Sequence, residues 1–304
     1  VIDEEQRFGV VHKERFTQLR AEVDTLTMSA TPIPRTLQMS LAGIRDMSMV
    51  MTAPEERLPV HTYVTGWDDE IVREAIIREM KRGGQVYFVH NRVQNIGRVA
   101  ARLEALLPEA SIVIGHGQMP EEQLERVMLE FEAGEHEVLL CTTIIESGLD
   151  IPNVNTIIIN DANQFGLAQL YQLRGRVGRS ANRAFAYLLY DRKGAITESA
   201  QKRLAAIFEA SELGSGFQIA LRDLEIRGAG ELLGEEQSGT IDDIGFNLYA
   251  DYLNRAVRDL AKLPDDNQYA LYEPVRTEVD LDLPILFPDS YLPDVHARLL
   301  LYKR

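Results

Sequence analysis

Gln85-Val-Tyr-Phe-Val-His90 carries only apolar and aromatic residues between its ends, as do Val138-Leu-Leu-Cys141 and Ala184-Phe-Ala-Tyr-Leu-Leu-Tyr190. Such runs read as strands buried inside a sheet, and strands 111–114 and 156–159 continue the series. Between them lie longer stretches with helical spacing. Asp68 or Asp69 can cap a helix whose Ile71, Val72, Ala75, Ile76 and Met80 share a face, and Gly83-Gly84 ends it. Further helices are expected over 93–107 and 120–131. Strand and helix alternating in this way predict an α/β fold with a mostly parallel sheet, right-handed crossovers and flanking helices.

Breaks in the pattern divide the rest. Pro54 and Pro59, with Glu55, Glu56 and Arg57 between them, make a linker, so residues 1–53 form one segment and 54–195 the main domain. In 196–262, Ala200-Gln-Lys-Arg203 starts an amphipathic helix with Leu204, Ile207 and Phe208 facing inward. Gly214 to Gly216 interrupts it and 217–226 makes a second helix, so the pair reads as a hairpin, followed by a glycine-rich stretch from Arg227 to Gly239. Residues 263–304 are acidic and spaced by prolines, and read as the start of another α/β domain.

At 304 residues the chain has material for about two domains. No apolar run approaches the roughly 20 residues that cross a bilayer, and no signal layout opens the chain, so a cytoplasmic location with no membrane partner is expected. The single cysteine, Cys141, lies in an apolar run and reads as a buried small side chain. A net charge of −15 argues against nucleic-acid binding when taken alone. Its distribution argues otherwise. Four arginines and no acid occupy 174–183, whereas Asp280, Asp282, Asp289 and Asp294 load the far end.

Polar residues collect at particular points. Gln172, Arg174, Arg176 and Arg179 converge on one helix-to-loop segment, where helical spacing would put Gln172 and Arg176 on one side and Gly175 and Gly178 keep the backbone thin. A planar, permanently charged fork stabilises a polyphosphate losing its terminal phosphoryl group, by on the order of a thousandfold in rate. The plain alternative is a solvated basic loop. His90-Asn91-Arg92, His116-Gly-Gln118-Met119 and Thr142-Thr143, with Glu146, Gly148 and Asp150, each follow an expected strand, where open parallel sheets gather their functional groups. Singly, each also fits a structural histidine or a helix cap. Near the start, Asp3 and Glu4 close a short apolar run and suit a hydrated magnesium ion, although an acidic turn would read the same. Ser29 and Thr31 follow another.

In this order the pieces resemble the motifs of superfamily 2 helicases and translocases. D-E-E-Q is similar to motif II, S-A-T to motif III, the three strand-end clusters to motifs IV, IVa and V, and Q-L-R-G-R-V-G-R to motif VI. The resemblance implies a RecA-like domain preceded by the end of a first one, with ATP and magnesium as cofactors. It makes Asp3, Glu4, Arg176 and Arg179 catalytic, with Asp3 also at the metal, and puts Gly148, Asp150 and Gln172 at the nucleotide. Ser29 and Thr31 would couple nucleotide state to grip, and Asn91, Arg92, His116, Gln118, Thr142 and Thr143 would meet the DNA backbone.

The hairpin and glycine-rich stretch resemble the translocation motif shared by the transcription-repair coupling factors (Mfd) and RecG, with Arg203 and Gln237 at its two connecting positions. The continuation into the acidic segment sides with the former family. That resemblance implies a monomeric, ATP-dependent translocase on double-stranded DNA that removes stalled RNA polymerase and recruits excision repair. RNA polymerase and UvrA would be engaged by modules outside this chain. No G-x-x-x-x-G-K-[ST] phosphate loop occurs in the 304 residues, so the chain is expected to be inactive as an ATPase by itself. Two alternatives stay open: a RecG-type branch-migrating helicase and a non-catalytic RecA-like interaction module.

Overall fold

A computed structural model describes residues 1–3, 15, 23–29, 48, 50, 58–147, 151–179, 182–192, 194, 196–210 and 214–227. Two short strands come first, β1 (Ile2–Asp3) and β2 (Thr27–Met28), and they pair in parallel. The main domain then runs β3 (His61–Gly66), α1 (Asp69–Lys81), β4 (Gln85–His90), α2 (Val93–Leu106), β5 (Ile112–Gly115), α3 (Glu121–Glu132), β6 (Val138–Cys141), β7 (Val154–Asn160), α4 (Leu167–Arg174) and β8 (Phe185–Tyr190). Helices α5 (Glu198–Glu209) and α6 (Gly216–Arg227) follow.

The sheet has six strands in the order β3-β8-β7-β4-β6-β5, and every pairing is parallel. Its inner strands β4, β6 and β7 are buried along their whole length, because helices cover both faces and no side chain can point to water. Alternate residues of β4 divide between two cores. Val86 and Phe88 join Val72, Ile76 and Leu103 of α1 and α2 on one face. Tyr87 and Val89 join Phe131 of α3, Leu170 and Leu173 of α4, and Leu204 and Ile207 of α5 on the other.

Local signals place the first helix. The Asp68 side chain accepts hydrogen bonds from the backbone N–H groups of Glu70 and Ile71, which would otherwise lack partners in the first turn. At the opposite end Glu79 is fully buried, yet Arg82 donates to it from Nε at 2.9 Å and the Thr156 hydroxyl donates to its other oxygen, so the carboxylate is satisfied. Gln85 Nε2 donates to the carbonyls of Phe131 and His136 at 2.6 and 2.8 Å. These bonds close the amino edge of the sheet and leave the carboxyl edge to other work.

Three expectations need correction. β3 was not foreseen: His-Thr-Tyr-Val-Thr-Gly has no alternation of polar with apolar residues, although as an outer strand it exposes His61 and Tyr63 and partly covers Thr62 and Val64. Phe208 is 56% exposed instead of facing inward, since α5 buries the face carrying Ala200, Leu204 and Ile207, and Phe208 falls on its flank. The helix through the arginine segment stops at Arg174, so Gln172 and Arg176 do not share a continuous helical face. The hairpin itself is present as α5 and α6. The glycine-rich stretch and residues 263–304 lie outside the described residues.

Candidate nucleotide and nucleic-acid interface

The strands deliver their carboxyl ends to one edge. From β4 the chain continues toward β5 and β6, and from β7 toward β8, so the crossovers diverge between β4 and β7. Open α/β sheets bind ligands at that kind of divide. His90, 1% exposed, sits there with Nε2 2.7 Å from Asn95 Oδ1, while Asn160 Nδ2 donates to its Nδ1 at 3.0 Å. One neighbour is an amide oxygen and the other an amide nitrogen, so the two side chains fix the orientation of the ring. The next residue, Asp161, has a φ of 52°, in the left-handed region that non-glycine residues enter at a cost.

Beside this divide lies a cavity of about 330 Å³ lined by Trp67, Asn95, Arg98, Val99, Arg102, Asn160, Asp161 and Asp191. The Trp67 indole N–H donates to Asp69 Oδ1 at 2.6 Å and Arg102 donates to the same oxygen at 2.7 Å, with its guanidinium 4.2 Å from the indole centroid. The indole hydrogen bond, helped by Arg102, holds the Asp69 carboxyl below the ordinary carboxylate range.

The arginine segment is built differently at each position. Arg174 ends α4, is 5% exposed, and donates from Nη1 to the Ile207 carbonyl at 2.9 Å. Burial lowers its pKa from the usual guanidinium value, opposed by the nearby Tyr171. Ile207 belongs to the last turn of α5, whose carbonyls have no partner within the helix, so Arg174 caps that end and sets its charge against the negative pole. After Gly175 the backbone tightens, with Arg176 N–H donating to the Leu173 carbonyl at 3.0 Å. Gly178 has a φ of 74°, and a Cβ there would come within 3.1 Å of both Ala184 and Val60. A glycine is needed for both reasons. Arg176 is half-buried, and Arg179, just past this turn, is exposed.

The residues expected at the DNA backbone all lie on this same edge. Asn91 and Arg92 follow β4 and are exposed, and Arg92 Nη2 donates to Gln164 Oε1 at 3.0 Å. After β5, His116 is half-buried and Gln118 exposed; His116 Nδ1 has no hydrogen-bond partner among the described residues. After β6, Thr142 is 9% exposed and the half-buried Thr143 opens a 3-10 turn over Thr143–Ser147. Gln172 is half-buried on α4. Arg203, on α5, donates to the Asn163 carbonyl at 3.0 Å and to Ser199 Oγ at 2.9 Å. Ser29 follows β2, and the parallel register pairs Asp3 with Met28, which brings the two strand ends side by side. Glu4, Thr31, Gly148, Asp150, Gln237 and the side chain of Asp3 lie outside the described residues. The turn Asp161–Gln164, which meets both Arg92 and Arg203, was missed because Asn-Asp-Ala-Asn-Gln reads as an ordinary polar loop.

Residues 68–181 match the model of the helicase conserved C-terminal domain. Over all 304 residues the chain is 54% identical to the transcription-repair-coupling factor of Myxococcus xanthus and 56% identical to that of Escherichia coli K12. Over its whole length the chain is thus similar to part of the transcription-repair-coupling factors. It spans about a quarter of the length of these curated relatives, 25% and 26%. Among solved structures, RecG bound to a three-way DNA junction resembles 78% of the chain and is itself covered over 30%, with a TM-score of 0.60 and 36% identity. The six-stranded parallel sheet is thus a RecA-like helicase C-terminal fold. Among the described residues no helix is long and apolar enough to cross a membrane.

Proposed function

We propose that this chain carries the second RecA-like lobe and the translocation hairpin of an ATP-driven motor that moves on double-stranded DNA, displaces stalled RNA polymerase and recruits excision repair. The observation that carries this reading is the carboxyl edge of the sheet. It presents Arg92, Gln118 and Thr143 beyond three strands, while Arg176 and Arg179 follow α4 around the turn where Gly178 packs beside Val60 and Ala184, and the buried Arg174 bond ties α4 to the hairpin. The carboxyl edge can meet a phosphodiester backbone through short polar groups, and the segment after α4 can meet a triphosphate through two guanidinium groups. The guanidinium charges suit ATP with its magnesium, which would neutralise charge on the phosphates. The identity over the whole chain favours this reading over a RecG-type branch migrator, whose likeness is lower and covers less of the chain.

Arg179 is the side chain that tests it. No phosphate loop motif occurs in the 304 residues, so we propose that the chain alone does not turn over ATP, and the variant belongs in the full-length protein. Arg179→Ala should lower ATP turnover by about a hundredfold or more while nucleotide binding stays near normal, as for a charge that acts in the transition state. Intact turnover in that variant would refute the assignment.

A further inference from the structure

The three-residue turn Ala162–Gln164 separates two arginines that the proposed function uses for different purposes. Its ends are pinned in the core, with Ala162 and Phe165 at 0% and 1% exposure. Its inside is closed by backbone bonds from Gln164 N–H to the Asp161 carbonyl at 2.9 Å and from Phe165 N–H to the Ala162 carbonyl at 3.2 Å. Asn163 and Gln164 are therefore held in place between those anchors. On one side the Asn163 carbonyl accepts from Arg203 Nη2 at 3.0 Å. On the other, Gln164 Oε1 accepts from Arg92 Nη2 at 3.0 Å, and among the described residues Gln164 is the hydrogen-bonding partner of Arg92. The chemistry of that partner is informative. A carboxylate would orient the guanidinium and cancel its charge, whereas an amide oxygen orients it, occupies one of five donors and leaves the charge for another anion.

We propose that Gln164 is a positioning residue for nucleic-acid binding, presetting the exposed Arg92 for a phosphate of duplex DNA and tying that grip through the turn to Arg203 and the hairpin. The proposal rests on the reading that Arg92 meets the DNA backbone. The αL conformation of Asp161 has a place in it, because that residue reverses the chain out of β7 and so starts the turn.

The test is the affinity of the full-length protein for a duplex oligonucleotide, followed by fluorescence anisotropy across a salt series. The variants are Arg92→Ala, Gln164→Ala, Gln164→Glu and the double variant Arg92→Ala with Gln164→Ala. Loss of Arg92 should weaken binding and reduce the slope of log K against log salt by about one. Gln164→Ala should weaken binding about three- to tenfold with the slope unchanged, since the charge remains and only its orientation is lost. Gln164→Glu should lower the slope as Arg92→Ala does, because the carboxylate takes the charge. The double variant should match Arg92→Ala alone. Additive losses in the double variant, or a full slope with Gln164→Glu, would overturn the positioning role. Wild-type affinity and slope in Arg92→Ala would instead overturn the underlying reading that Arg92 meets DNA.

Discussion

Cys141 and Arg174 show what burial does to two groups of opposite chemistry. Cys141 closes β6 with no exposed surface, and burial pushes its thiol well above the ordinary value of 9.0. The unfolded chain ionises at that ordinary value and the folded chain does not. The contribution to stability is therefore present below pH 9.0 and falls as pH rises past it. In the native protein the thiol should react with an alkylating reagent only at the rate at which the sheet opens. Labelling followed by mass spectrometry, with and without denaturant, checks this, and rapid native labelling would show that β6 is not sealed. Arg174 sits in the same core and meets the Ile207 carbonyl at the end of α5. Arg174→Met preserves much of the volume and strands that carbonyl, which should cost about 1 to 3 kcal/mol in denaturant unfolding. An unchanged midpoint would mean that water or another donor replaces it.

At the scale of elements, the legible parts and the hidden parts have separate causes. Strands β4, β6 and β8 stood out because burial on both faces leaves them apolar and aromatic between their ends, and α1 because Asp68 and its apolar spacing mark it. Outer strand β3 exposes His61 and Tyr63 and shows no alternation of polar with apolar residues, so no strand was read there. Helix α4 has almost no amphipathic bias, since the charged Arg174 falls within the buried face of Leu167, Leu170 and Leu173, so its end could not be read from periodicity. The site divided in the same way. Arg176, Arg179, Arg92 and Thr143 were named from their motifs, whereas Gln164 acquires its place only when β7 and β4 lie side by side, 72 residues apart in sequence. A contact between distant residues leaves no local trace. The hairpin supplies the prediction that belongs here. Arg203 holds α5 to the turn after β7, so in the full-length protein Arg203→Ala should leave ATPase near normal and abolish displacement of a triplex-forming strand from duplex DNA. Loss of both activities together with a lower melting temperature would reduce Arg203 to packing.

The whole molecule has a property that follows from where its first and last sheet strands lie. β3 opens the main domain, β8 closes it, and the two are neighbours in parallel, paired from His61 with Phe185 to Gly66 with Tyr190. The chain thus enters at the amino end of one strand and leaves from the carboxyl end of the next. Tension between these points pulls two parallel strands past each other and loads all six paired positions at once, instead of peeling them open one at a time. A domain wired in this way bears traction along its chain. In an optical trap, handles at residues 58 and 194 should require a markedly higher rupture force than handles at 58 and 184, where the same pair is unzipped from one end.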